Sequence, residues 1–164
     1  MAGNPLEFYE SGSSNSIALQ LRQVVEAEGP ISELVLFRRV ARAWGLERTG
    51  TRIASRLRDL VPPSVGQTIE GKVTFYWPTS DGSGAWTGFR LANQDESSRR
   101  NIAEVAIEEV SNLVMHVLEV GGAAPRSDVA KSVCRLIGMA RTTADAESRV
   151  NLSIELLCSQ GTRR

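Results

Sequence analysis

Histidine occurs once in the 164 residues, as His116, and cysteine twice, as Cys134 and Cys158. That supply gives no metal-ligand spacing, so a zinc or iron site is excluded. A Ser–His–Asp arrangement would have to use His116, which lies in an apolar helical stretch. No Walker loop, no GxGxxG and no HExxH is present. No apolar run approaches the roughly 20 residues that cross a bilayer. Met1–Ser16 is acidic and polar, unlike a secretory signal. Charge of one sign is also missing: 19 basic and 19 acidic residues cancel. A strongly basic nucleic-acid-binding tail is therefore excluded, and any such site needs local segregation of charge. These absences point to a non-enzymatic protein of the cytoplasm with no cofactor. Both cysteines sit in apolar helical contexts and are expected as buried free thiols.

What the sequence does hold is an ordinary globular composition, 41% hydrophobic and 23% charged, in a length that can bury a core. It also holds an internal repeat. Val24–Leu60 recurs as Val117–Leu157. Glu26, Gly29, Val40 and Arg42 match Glu119, Gly122, Val133 and Arg135, all 93 positions on (133 − 40). Trp44-Gly45-Leu46 matches Ile137-Gly138-Met139, and Arg48-Thr49 matches Arg141-Thr142. An insertion of about four residues then brings Arg52-Ile53 onto Arg149-Val150, and Leu57 and Leu60 onto Ile154 and Leu157.

Each copy reads as three helices. Ile17, Leu21, Val24 and Val25 form a helical stripe over Ile17–Glu28, ended by Gly29-Pro30. Ser32 is an N-cap candidate for a second helix running to Trp44, with Gly45 as its left-handed terminator. A third helix follows over Thr51–Leu60. Thr68-Ile69 and Val73–Trp77 flank Glu70-Gly71-Lys72, a hairpin signal. Thr79–Gly84 reads as a loop. In the second copy the pattern predicts a long helix over Ile102–Glu119, another from Pro125 to about Ile137, and a last one over Thr143–Cys158. The expected architecture is mainly α with a small β-hairpin: a winged helix–turn–helix followed by a second helix–turn–helix-like three-helix unit. Residues 1–16 form a polar N-terminal segment. Residues 17–90 form the winged-helix unit, with its wing near 68–77. Residues 91–100 are a linker, and 101–164 are a second unit whose chain stops before a second wing.

A helix–turn–helix reads DNA by laying its last helix in the major groove. Here that helix would present Thr51, Arg52, Ser55 and Arg56, preceded by Arg48 and Thr49. Arginine can grip guanine or phosphate in bidentate fashion, and the threonines suit phosphate. Lys72 at the wing tip would reach the groove or backbone. Ile17–Leu60 holds eight arginines against five acids, a modest excess. Reversal of Arg52 and Arg56 to Glu is expected to abolish binding without loss of helix. Weaker candidates are Arg38, Arg39 and Arg42, residues that more often pair with nearby acids, here Glu33 and Glu47. Arg141, Thr142 and Arg149 of the second copy are also weaker, since Asp145 and Glu147 interrupt them. Trp44, Phe75, Tyr76, Trp77 and Trp86 could stack on bases, but their positions favour packing. Glu108–Glu109 reads as a solvated helix face.

The stretch VVEAEGPISELVLFRRVARAWGLERTGTRI resembles the opening of a bacterial domain of unknown function, number three-three-two-zero. Phe75–Pro78, Trp86 and Phe89-Arg90 resemble that domain's next landmarks. The likeness spans roughly Leu19–Arg90. In that family the domain usually lies C-terminal in large proteins carrying a superfamily-one helicase and a restriction-endonuclease-like nuclease. The resemblance implies an accessory domain, a fragment or a stand-alone relative, and it transfers no catalytic residue. The expected function is accessory binding of duplex DNA, with a helicase–nuclease protein as partner and no membrane. A protein-interaction or dimerisation module, a homodimer included, is the alternative. A small transcriptional regulator, binding a palindrome as a dimer, is a third.

Overall fold

A computed structural model describes residues 3–82, 84 and 86–161. Ser83 of the expected loop and residues 162–164 at the expected end of the second unit lie outside the described residues. The chain is mainly helical, with one small antiparallel sheet, and it divides into two compact units, Met1–Gly84 and Ala85–Arg164. Among the described residues no helix is long and apolar enough to cross a membrane.

The first unit runs α1 (Ser14–Glu28), β1 (Ile31–Ser32), α2 (Glu33–Ala43), α3 (Thr51–Asp59), β2 (Gly66–Glu70) and β3 (Val73–Trp77). Ile17, Leu21 and Val25 of α1 repeat every four residues and are buried. They meet Leu36, Phe37 and Val40 of α2, Leu57 of α3 and Tyr76 of β3 in one cluster. Each such side chain contributes about 1.5–3 kcal/mol. Ser32 caps α2 as expected, its hydroxyl accepting from Val35 N at 3.4 Å. The hairpin turns through Gly71-Lys72, where Gly71 takes φ +58°. Glycine at the first central position of a two-residue loop is the II′ pattern. The two-residue β1, too short to leave a periodicity signal, pairs with β3 so that the sheet order is β1-β3-β2. Trp44, Phe75, Tyr76 and Trp77 are all buried, which spends them on packing rather than stacking.

The N-terminal segment, expected to be polar, belongs to this unit and adds to its core. Two 3-10 turns, Pro5–Glu7 and Ser11–Ser13, lead into α1, which starts three residues before the expected Ile17. Its first turn is Ser14, Asn15 and Ser16, which carry no apolar stripe. Between those turns Phe8 is fully buried in the core, edge-on to Trp44 at 5.8 Å. Gly3 N donates to Ala43 O at 2.9 Å, tying the segment to the end of α2.

The second unit holds α4 (Ile107–Gly121), α5 (Arg126–Leu136) and α6 (Ala144–Gly161). The expected long helix from Ile102 is broken. Ile102–Glu104 is a 3-10 turn, Val105 is extended, and α4 begins at Ile107. Ile102, Val105 and Ala106 are nonetheless buried, so their spacing imitates a helical stripe without being one. The expected linker, 91–100, and the residues just before it are tied to the second unit's helices. Phe89 packs on the core, Ala92 N donates to Leu136 O at 2.8 Å, and Arg100 N to Ile137 O at 2.9 Å. Asn112 of α4 donates from Nδ2 to Trp86 O and Gly88 O, both at 3.0 Å.

Glu109, expected on a solvated face, is fully buried. Its Oε2 accepts from Arg100 Nη1 at 2.9 Å, and its Oε1 from Arg90 N at 2.8 Å. Arg100 also donates to Arg90 O. The partner lies in irregular chain, so helix periodicity gave no sign of it. Cys134 is buried, as expected, and burial pushes its thiol pKa up. Cys158 is exposed instead, near the end of α6. Neither cysteine is in a disulfide.

Candidate nucleic-acid interface

The helices of the two units start at matching places. α4, α5 and α6 begin 93 positions after α1, α2 and α3, at Ile107 (107 − 14), Arg126 (126 − 33) and Ala144 (144 − 51). α2 and α5 also end alike. Gly45 N donates to Arg42 O and Leu46 N to Ala41 O, both at 2.9 Å. Gly138 N donates to Arg135 O at 3.1 Å and Met139 N to Cys134 O at 2.9 Å. Gly45 and Gly138 take φ +73° and +85°, the left-handed residue of a Schellman stop. The turn that leads into α3 is thus set by Gly45, and it delivers Arg48 and Thr49 just ahead of Thr51.

Counted from the helix starts, the offset of 93 carries into α6 without the four extra residues expected between Thr142 and Arg149. With α6 starting at Ala144, Val150 takes the buried place of Leu57. The extra length lies at the far end of α6, which has 18 residues against nine in α3. This register sets Arg149 opposite Arg56, not Arg52, and Asp145 opposite Arg52.

Arg48, Thr51, Arg52 and Ser55 are exposed along the first turns of α3 and the loop before it. Thr49 is half-buried and lines a groove of about 230 Å³ together with Lys72, Val73 and Thr74 of the hairpin. The groove's other walls are Glu33, Leu34 and Phe37 of α2 and Ala54 of α3. Thr49 and Lys72, distant in sequence, are therefore brought to one place. Glu33, the acid on that wall, is already engaged. Arg58 donates to it from Nε at 3.1 Å and from Nη2, and Tyr76 donates its hydroxyl at 2.9 Å. Burial alone would raise the Glu33 pKa, but the hydrogen bonds from Arg58 and Tyr76 outweigh it and hold the carboxyl below its ordinary value. Burial and the Glu33 carboxylate together push Tyr76 well above the ordinary phenol range.

Arg56 departs from the expected role. Its Nε donates to Phe8 O and its Nη2 to Glu10 O, both at 2.8 Å, and Nη2 reaches Ser14 Oγ at 3.3 Å. Arg149, its counterpart, donates from Nη2 to Val105 O, just before α4. In both units an arginine of the last helix clamps the chain that leads into the first helix. Main-chain carbonyls at these places leave no sequence signature, so an arginine serving them looks like one on a solvated face. Arg39 is half-buried and pairs with Glu28 at 3.2 Å, while Arg42 is exposed. Arg38 is half-buried. In the second unit Arg141 is exposed and Thr142 half-buried. His116 packs its ring on Phe89 at 5.0 Å. Among the described residues no group of His, Cys, Asp and Glu could hold a metal ion.

Residues 7–55 match a family described as "Protein of unknown function (DUF3320)". The match starts upstream of Leu19 and ends within α3, so Phe75–Pro78 and Trp86–Arg90 lie outside it. No curated protein and no solved structure matches the chain.

Proposed function

We propose that the first unit is a winged helix that binds duplex DNA as an accessory module of a helicase–nuclease protein in the cytoplasm, without catalysis of its own. The order α1-β1-α2-α3-β2-β3 with sheet order β1-β3-β2 supports the winged-helix reading. The observation that carries the binding reading is the exposed row Arg48, Thr51, Arg52 and Ser55 beside a groove shared by Thr49 and Lys72. In this reading α3 enters the major groove and the β2–β3 wing lies along the backbone. Arg56 is left out of the contact set because its Nε and Nη2 donors hold the N-terminal segment. The helicase–nuclease association rests on the sequence resemblance alone. The second unit repeats the same helical plan, with no strand among its described residues. The constant spacing of helix starts and the paired Gly45 and Gly138 stops support a repeat.

Fluorescence anisotropy against labelled duplex and single-stranded DNA, at low and physiological salt, tests this. The expected result is micromolar or tighter duplex binding that weakens steeply with salt, as phosphate neutralisation requires. Absence of duplex binding even at low salt would overturn it. A second reading, a protein-interaction or dimerisation module, draws on Leu34 and Val73, which are 58% and 37% exposed on the same groove. A stable dimer by light scattering, with no DNA binding, would favour it.

A further inference from the structure

We infer that Tyr9, upstream of the first helix, is a positioning residue of this interface: it holds Arg52 ready for a phosphate oxygen of the duplex. The inference rests on the duplex-binding reading above and names a contributor to it outside the helix–turn–helix. The Arg52 guanidinium carbon lies 4.2 Å from the centre of the Tyr9 ring. Tyr9 is itself built in. Phe8 before it is buried in the core, with the two rings edge to face at 5.2 Å. The single guanidinium of Arg56 grips the carbonyls on both sides of Tyr9, those of Phe8 and Glu10. The ring is thus a fixed platform on an otherwise exposed side chain.

Stacking uses the face of a guanidinium and leaves its in-plane N–H donors at the edge. Those donors fit a phosphate or another oxyanion in bidentate geometry. An arginine waving in water must give up its rotamer freedom on binding, and a platform removes part of that loss beforehand. The second unit lacks both partners. At the corresponding places stand Ile102, buried at 2% exposure, and Asp145, an acid that would repel phosphate. Platform and cation occur together only where the exposed row of α3 and the hairpin are also found.

The test is a double-mutant cycle on the full chain, read by anisotropy with a labelled duplex at low salt. Tyr9→Leu is expected to weaken binding about two- to five-fold, the range of an exposed cation–π contact. The same change in an Arg52→Ala background is expected to have no effect. Tyr9→Phe and Tyr9→Trp keep a ring and should keep wild-type affinity. Independently of DNA, the Arg52 side-chain proton resonances should carry a ring-current shift that Tyr9→Leu abolishes and Tyr9→Phe retains. Equal losses from Tyr9→Leu in both backgrounds, or no loss, with the wild type still binding, would overturn the platform and spare the duplex reading. A wild type that does not bind duplex would overturn the duplex reading and the platform's purpose with it. An absent ring-current shift would overturn the stacking itself.

Discussion

The two units solve one packing problem with different materials. In each, three helices start at the same intervals, the second helix stops at a left-handed glycine, and an arginine of the third clamps the chain leading into the first. They differ in what covers the rest of the core. The first unit uses aromatics: Phe8 from the N-terminal segment, Trp44, and Tyr76 from the sheet. The second has no strand among its described residues. It uses irregular chain, 86–100, held by a buried ion pair between Arg100 and Glu109 that are 8% and 0% exposed. The helical plan therefore does not depend on the sheet. What the sheet and the N-terminal segment add to the first unit is a surface: a hairpin tip with Lys72 and an aromatic platform under Arg52.

The largest effects should come from the two devices that are not shared. Arg100→Ala leaves Glu109 charged and buried without its partner, which costs about 3–5 kcal/mol. Urea unfolding should register that loss in the second unit. A change under about 1 kcal/mol would mean that water reaches Glu109. Phe8→Ala removes a fully buried ring and should cost the first unit about 3–5 kcal/mol, read the same way. A neutral result would show that the N-terminal segment adds nothing to the core.

The paired glycines give a finer contrast. An alanine at either place adopts a left-handed conformation at about 1–2 kcal/mol. At Gly45 the new Cβ meets the ring of Pro5, 2.8 Å from Cγ. At Gly138 it meets Ala92 Cβ at 2.9 Å and Arg99 Cβ at 3.1 Å, atoms that cannot swing aside. Gly138→Ala should therefore lower the melting temperature more than Gly45→Ala, and the reverse order would break the comparison.

The smallest effect is a pH dependence carried by Glu33 of the first unit. Glu33 has a lowered pKa in the fold, so folding favours its ionised form. The stabilisation is present above its unfolded value near 4.3 and is lost as pH falls through the lower folded value. Glu33→Gln should flatten the acid limb of the melting curve below about pH 4.5, and an unchanged limb would show that Arg58 and Tyr76 do not hold the carboxylate.

Much of this was legible in the sequence. Gly45 and Gly138, the Ser32 cap, the hairpin about Gly71 and the apolar stripes of α1 and α2 each announce a local backbone choice with a residue type made for it. The misses share one cause. Phe8, Arg56, Arg100 and Glu109 act through partners far along the chain or through main-chain carbonyls, and neither leaves a period. The apolar spacing of Ile102, Val105 and Ala106 misled for the converse reason, since a 3-10 turn and an extended residue can bury the same side chains as a helix. Of the candidate contacts, Thr51, Arg52 and Ser55 were readable as one face of α3, with Arg48 just ahead of it. Tyr9 was not, because its significance comes only from the folded position of its ring. Reversing Arg52 and Arg56 together would thus confound the interface with the clamp on the N-terminal segment, and Arg56→Glu should lower stability by itself, seen as a reduced melting temperature.

The most direct test of the account compares the two units at equivalent places: Arg48→Glu against Arg141→Glu, each titrated with duplex DNA over a range of salt. Both side chains are exposed on the loop before the third helix, so neither change should disturb the fold. Arg48→Glu should weaken binding and reduce the slope of log affinity against log salt by about one. Arg141→Glu should leave both unchanged. Equal losses at the two places, or a loss at Arg141 alone, would contradict the assignment of the interface to the first unit.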